Sequence, residues 1–386
     1  MNYKNKTNVL IYHDKLLEYG GAEVVLETFV EKMKPAMIYT TCISNRPFWE
    51  NLYQTKIVAP SIFRFIKTQT MYRLFYPLIC LLSPFLKPCN LVTSDIFVYS
   101  STAAKFLSTD GASSTFLYSN FPAKPLIRFK DYFAKTTKLA LLMPFVGIAF
   151  FFWKKVELRA LQKFSRIAVI SKAARVAYEN LYGTSALPEI KIIHCPVKSS
   201  VFNFAKKDFF KVNDFFSCTI VSRLYPEKNI EPLISFLAAN KNIKLTVIGD
   251  GPLLETFSSK YGVDVIFTGF IDDLEKYSLI AESDFLLQPT IQEWSLATIE
   301  SNILGTPVIG AHSDAMIEIN QSVSGDDSIP NMTYKDFSDI PLLVLCAQER
   351  REALEKILHE YKNNFSIDSF IAKINFKSIL VNSSLL

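Results

Sequence analysis

CTIVSRLYPEKNIEPL, Cys218 to Leu233, restarts a pattern that the chain has already run through once. A short apolar run gives way to a turn with arginine and proline, and then to a helix-length stretch. Such a run suits a strand covered on both faces better than it suits a helix. Downstream the alternation continues through "KLTVIGDGP", "DVIFTGF", "DFLLQPT" and "TPVIGAH". Upstream, "NVLIYHD" (Asn8 to Asp14) is followed by a glycine turn and the amphipathic "AEVVLETFVEKM". Then come "AMIYTTC", "LVTSDIFVYSS", "STFLYSN", "RIAVIS" (Arg166 to Ser171) and "IKIIHCPV". Short β-branched runs alternating with helices predict an α/β fold with parallel sheets. The restart predicts two such domains, joined near Val197 to Asp214. Ligands of these sheets bind beyond the carboxyl ends of the strands, so the cleft between the halves is the expected site.

Composition narrows the function classes. The chain has 386 residues, enough for two ordinary domains, and 49% are hydrophobic. Its six cysteines form no C-x-x-C pair and its four histidines are far apart. That argues against a zinc cluster and fits a reduced cytoplasm, with the cysteines acting as small buried hydrophobes. A net charge of +5, without any RNP-like, zinc-finger or helix-turn-helix pattern, argues against a nucleic-acid partner. "MNYKNKTNVLIYHD" lacks the apolar core of a signal peptide.

Two segments bear on membranes. "LALLMPFVGIAFFFW" (Leu139 to Trp153) is uncharged and bracketed by Lys135, Lys138, Lys154 and Lys155. It falls short of the roughly 20 apolar residues of a spanning helix and contains Pro144 and Gly147. Ser61 to Pro88 mixes Arg64, Lys67, Arg73 and Lys87 with many aromatic residues. Cations and rings together suit the headgroup layer, so interfacial contact is expected, with Phe150, Phe151 and Trp153 facing lipid.

Several residues could carry chemistry. Arg223 follows the first strand of the second half, and Lys228 lies five residues on. Two cations at a strand's carboxyl end suit a diphosphate, although a solvated surface pair gives the same spacing. In "TVIGDGPLLETF", Gly249 and Gly251 flank Asp250 and permit close backbone approach. In "QEWSLATIESNILGTPVIG", Ser295 is a candidate N-cap that leaves the amides of Leu296 to Thr298 for a phosphate. Glu300 would then lie inside the helix, where a carboxylate can accept from both hydroxyls of a ribose.

Arg223 and Lys228 in "SRLYPEK", "VIGDGP", "VIFTGF", "QEWSLATIE" and "GTPVIG" occur in an order and spacing that resembles glycosyltransferase family 4. The N-terminal "YGGAE" (Tyr19 to Glu23) is similar to that family's glycine loop. "YSNFPAKPLIRFKDYF" (Tyr118 to Phe133) looks like a diverged motif of its bacterial mannosyltransferase-like branch, which acts on cell-surface polysaccharides. The resemblance implies the GT-B fold: two Rossmann-like domains facing across a cleft. Residues 1–200 would bind acceptor and 201–365 the nucleotide-sugar donor, with a C-terminal helix over about 366–386 packing back on the first domain.

The resemblance also implies roles. Arg223 and Lys228 match the pair that neutralises the donor diphosphate. Gln292 stands at the first glutamate of the family's E-x7-E motif, where the donor sugar's hydroxyls are met, and Glu300 at the second, which holds the ribose. Glu293 and Glu300 are one residue too close to be that pair. Asn120 stands where the related branch has a histidine. Gly20, Gly21, Gly251, Phe270, Glu293, Trp294, Ser295 and Leu296 fall at donor-binding positions. Members retain anomeric configuration and need no metal or other cofactor. The expected function is therefore transfer of a hexose from a GDP- or UDP-sugar to a glycan or polyprenyl-linked acceptor in surface polysaccharide synthesis. The expected place is the cytoplasmic membrane face. The alternatives are a non-catalytic sugar-nucleotide-binding scaffold and a GT-B epimerase; the latter would need carboxylates and histidines in positions not found here.

Overall fold

The computed structural model describes residues 9–86, 94–107, 112–122, 143–204, 215–289, 294–324 and 331–374. The chain divides into two compact units. One runs to Cys195 and takes in the chain from Phe370; the other is Pro196–Ser369.

The first unit is built on a seven-stranded sheet. Its strands are β1 (Val9–Leu16), β2 (Met37–Ile43), β3 (Ile57–Val58), β4 (Ser94–Ser100), β5 (Ala112–Ser119), β6 (Arg166–Val169) and β7 (Ile190–Ile192). The order is β3-β2-β1-β4-β5-β6-β7, and every pairing is parallel. A parallel sheet needs cover on both faces, and β1 shows it, since all its residues except Lys15 are buried. Tyr12, at the centre of β1, stacks on Tyr99 of β4 and meets Tyr39 of β2 edge-on. Phe370, in the helix Ile367–Ile374, packs on Phe29 and Tyr118 of this unit.

The second unit repeats the plan with β8 (Phe216–Val221), β9 (Ile243–Ile248), β10 (Val265–Gly269), β11 (Phe285–Gln288), β12 (Val308–Ala311) and β13 (Met332–Tyr334). Their order is β10-β9-β8-β11-β12-β13, again all parallel. Ile220, Val247, Leu287 and Ile309 share one core cluster with Leu233 and Leu237 of the covering helix Glu231–Ala238. Cys42, Cys80, Cys195 and Cys218 are buried free thiols, as expected of cysteines used as small hydrophobes.

In both units the strand order reverses beside the first strand, between β1 and β4 and between β8 and β11. Loops leaving two such neighbours diverge, and the carboxyl ends there form the natural ligand position.

Candidate functional site

At the carboxyl end of β8, Arg223 is exposed, its guanidinium 5.9 Å from the Tyr225 ring centroid. Lys228 is half-buried at the end of a 3₁₀ turn, Pro226–Lys228, whose backbone is closed by the Lys228 amide donating to the Tyr225 carbonyl at 2.9 Å. Asn229, at φ 45°, then redirects the chain into the helix Glu231–Ala238. Lys228 thus stands just ahead of that helix.

The glycines after β9 hold this loop in place. The Leu224 amide donates to the Asp250 carbonyl at 2.9 Å, and the Leu253 amide to the Leu224 carbonyl at 3.1 Å. A Cβ on Gly249 would lie 2.1 Å from the Ser222 carbonyl oxygen, and one on Gly251 2.5 Å from that of Leu224. Both glycines have positive φ, +136° and +155°. Gly251, which falls at a donor-binding position by the resemblance, packs closely on the neighbouring loop at Leu224, next to Arg223. Phe270, just past β10, is 71% exposed.

Beyond β11, Gln292 and Glu293 lie outside the described residues. Ser295 caps the helix Leu296–Ile303, its hydroxyl accepting from the Thr298 amide at 3.2 Å. That uses one of the three amides expected to be free and leaves those of Leu296 and Ala297. The Ser295 hydroxyl also donates to Gln288 Oε1 at 3.1 Å. Trp294 is buried, with its ring 6.0 Å from that of Phe365.

Glu300 is 6% exposed, and Lys276 meets both of its oxygens, at 2.9 Å (Oε2) and 3.1 Å (Oε1). Lys276 also bonds Asp273 at 3.0 Å, and Asp273 bonds Lys198 at 2.8 Å. Burial pushes the Glu300 carboxyl up, against the opposing pull of Lys276. Burial alone would lower the Lys276 ammonium; the Glu300 and Asp273 carboxylates outweigh it and hold it above the ordinary lysine value. Lys276 and Asp273 come from the helix Asp273–Glu282, so β10's following helix supports the residue on β11's following helix. None of Lys198, Asp273 and Lys276 was read from sequence. The available signal was physical: a carboxylate inside the second turn of a buried helix needs a cation.

In the first unit, half-buried Gly20 precedes the helix Gly21–Met33, and Gly21 is exposed. Beneath this turn, buried Glu23 lies 3.5 Å from His13 Nε2 on β1, a pairing not anticipated. Burial would raise the Glu23 carboxyl; His13 and Lys15 reverse this and lower it. Asn120 is half-buried just past β5. Its turn is held by the Phe121 carbonyl, which accepts from Tyr178 at 3.2 Å and Ser119 at 3.3 Å. Tyr178 in turn accepts from Lys105 at 2.9 Å, and Lys105 forms a buried ion pair with Glu157. Among the described residues, no three His, Cys, Asp or Glu side chains are placed to hold a metal ion.

Residues 202–363 match the model for "Glycosyl transferases group 1". That match lies within the second unit. The GDP-mannose-dependent alpha-(1-6)-phosphatidylinositol dimannoside mannosyltransferase of Mycobacterium tuberculosis is 33% identical over 104 residues, 26% of this chain and 27% of that protein. The match thus spans about a quarter of its curated relative. The structure of Anabaena Alr3699/HepE in complex with UDP-glucose superposes with a TM-score of 0.64 at 15% identity, covering 96% of this chain and 99% of that one. Sucrose-phosphate synthase from Thermosynechococcus elongatus gives 0.65 at 11% identity, covering 98% and 100%. With two parallel-sheet units and these neighbours, the fold is GT-B.

Proposed function

We propose that the chain is a retaining, metal-independent glycosyltransferase that moves a hexose from a nucleoside-diphosphate sugar to a glycan or polyprenyl-linked acceptor. The observation that carries this reading is one switch point. Arg223 and Lys228 follow β8, Glu300 lies on the helix after adjacent β11, and both strands end at the same sheet edge. As the glycosidic bond breaks, negative charge grows on the departing diphosphate, and fixed cations stabilise that state more than the bound substrate. They would do what a divalent ion does elsewhere. Glu300, with both oxygens fixed by Lys276, keeps lone pairs for a ribose diol. Gln292 would read sugar hydroxyls, and Asn120 would offer a neutral hydrogen bond near the sugar.

A membrane-facing acceptor side fits the first unit, and with it a role in surface polysaccharide synthesis at the cytoplasmic face. Leu74, Leu78 and Leu81 line one face of the helix Gln69–Leu82 at 75%, 44% and 51% exposure. Phe85 continues the stripe. On the helix Met143–Leu161, Phe151 and Phe152 are exposed beside exposed Lys154 and Lys155. Trp153 does not join them, because its ring packs against Tyr76 and Phe106. Phe150's side chain lies outside the described residues. No described helix is long and apolar enough to cross a membrane.

The test is incubation of purified protein with a membrane extract and radiolabelled GDP-mannose or UDP-glucose, the sugar nucleotides of the similar mannosyltransferase and of the HepE complex. Transfer to lipid or glycan is expected. Donor binding without transfer would favour a non-catalytic binder, and donor isomerisation an epimerase.

A further inference from the structure

Past the carboxyl end of β2 the first unit has a pocket of about 350 Å³. Thr41 to Ile43 close one side, and three cations, Arg46, Arg64 and Lys67, stand around it, with no acidic residue among the described residues of its lining. Two of the three are held by backbone carbonyls at the rim. Arg46 Nη1 donates to the Ile57 carbonyl at 3.0 Å, and Lys67 Nζ to that of Ile43 at 3.2 Å. Carbonyls orient these side chains without neutralising them. Like charges gathered at one concavity raise the local potential and concentrate anions there.

The segment that supplies Arg64 and Lys67 is amphipathic. Phe63 and Ile66 are buried, whereas Ile62 and Phe65 are about half exposed, at 52% and 48%. It leads directly into the helix with the exposed leucine stripe. An anion pocket bordered by apolar side chains matches a ligand with a charged head and a greasy tail. A phosphodiester headgroup offers one negative charge to three cations; a diphosphate offers two or more.

We propose that this pocket binds the diphosphate of a lipid-linked acceptor while Ile62, Phe65 and the leucine stripe rest in the bilayer. The proposal rests on the glycosyltransferase reading above, but concerns the unit that does not carry Arg223 and Lys228. The test compares wild type with the combined variant Arg46→Gln, Arg64→Gln, Lys67→Gln in flotation with phosphatidylcholine vesicles. One set carries a polyprenyl diphosphate, and the other carries phosphatidylglycerol at equal charge density. Wild type should prefer the diphosphate vesicles by about tenfold or more, the scale of one charge-assisted contact. The variant should lose that preference, and each single replacement should lower it several-fold, which covers the case where the combined variant does not fold. Inorganic diphosphate should compete for the wild type. Equal binding of wild type to both vesicle types, or a preference that survives the replacements, would overturn the assignment. Nucleotide-sugar binding, titrated separately on the same proteins, should be unchanged, so failure of the donor reading registers there and not in the vesicle comparison.

Discussion

Replacing Glu300 with glutamine and Lys276 with methionine should have opposite balances of effect, although the two side chains touch. In wild type the pair is nearly buried, with side-chain exposures of 8% for Glu300 and 16% for Lys276. In Glu300→Gln, Lys276 keeps Asp273 at 3.0 Å, and no charge is left without a counterion. The fold should therefore lose only about 1 kcal/mol or less. Donor binding should weaken by roughly 1.5–3 kcal/mol, because the amide turns a donor toward one ribose hydroxyl. In Lys276→Met the cation goes while Glu300 stays, inside the unit and without its partner. Breaking a buried pair from one side costs about 3–5 kcal/mol, and protonation of Glu300, already favoured by its burial, would return part of that. Asp273 is less of a burden, since it is partly exposed and retains Lys198. The double variant should recover much of the stability lost in Lys276→Met. Urea unfolding gives the stability axis and calorimetric titration of the nucleoside diphosphate the binding axis. Additive losses across the cycle, or a Glu300→Gln protein that is unstable yet binds donor normally, would refute the pair's assigned roles.

Gly251→Ala should cost at least about 2 kcal/mol, because the residue sits at φ +155° with the Leu224 carbonyl 2.5 Å from the new Cβ; an unchanged urea midpoint would contradict that packing. Serine at Leu74, Leu78 and Phe151 together should reduce binding to anionic vesicles without lowering the melting temperature. Serine at Trp153 should instead destabilise the first unit by about 2 kcal/mol or more, because the indole packs between Tyr76 and Phe106. Equal behaviour of the two variants would remove the distinction drawn between these neighbours.

The strands were legible because parallel sheets bury both faces, which leaves uninterrupted apolar runs such as Val9–Tyr12. The two-residue β3 is too short to leave such a signature, and β13, Met332–Tyr334, carries polar Thr333 at its centre; neither was read. The capping role of Ser295 was readable from local chemistry alone. What escaped was tertiary. Lys276 meets Glu300 across 24 positions of sequence, and Lys198 joins through Asp273 from further still. Trp153 and Phe152 are neighbours in a run that hydropathy treats as uniform, yet one packs inward and the other is 61% exposed. Gly251 is a further case: a glycine demanded by close backbone approach does not say in sequence what approaches it, and the structure adds the loop that carries Arg223.

The central claim is that Arg223 and Lys228 form a diphosphate clamp in the second unit. Calorimetric titration of GDP against GMP, and of UDP against UMP, measures it most directly. In wild type the diphosphate of the preferred base should bind at least about tenfold more tightly than its monophosphate, the scale of one charge-assisted contact. Arg223→Ala and Lys228→Ala should each erase most of that difference while leaving the fold intact, and each should lower turnover by roughly 100-fold or more. Equal affinity for mono- and diphosphate in wild type, or a diphosphate preference that survives both replacements, would contradict the account.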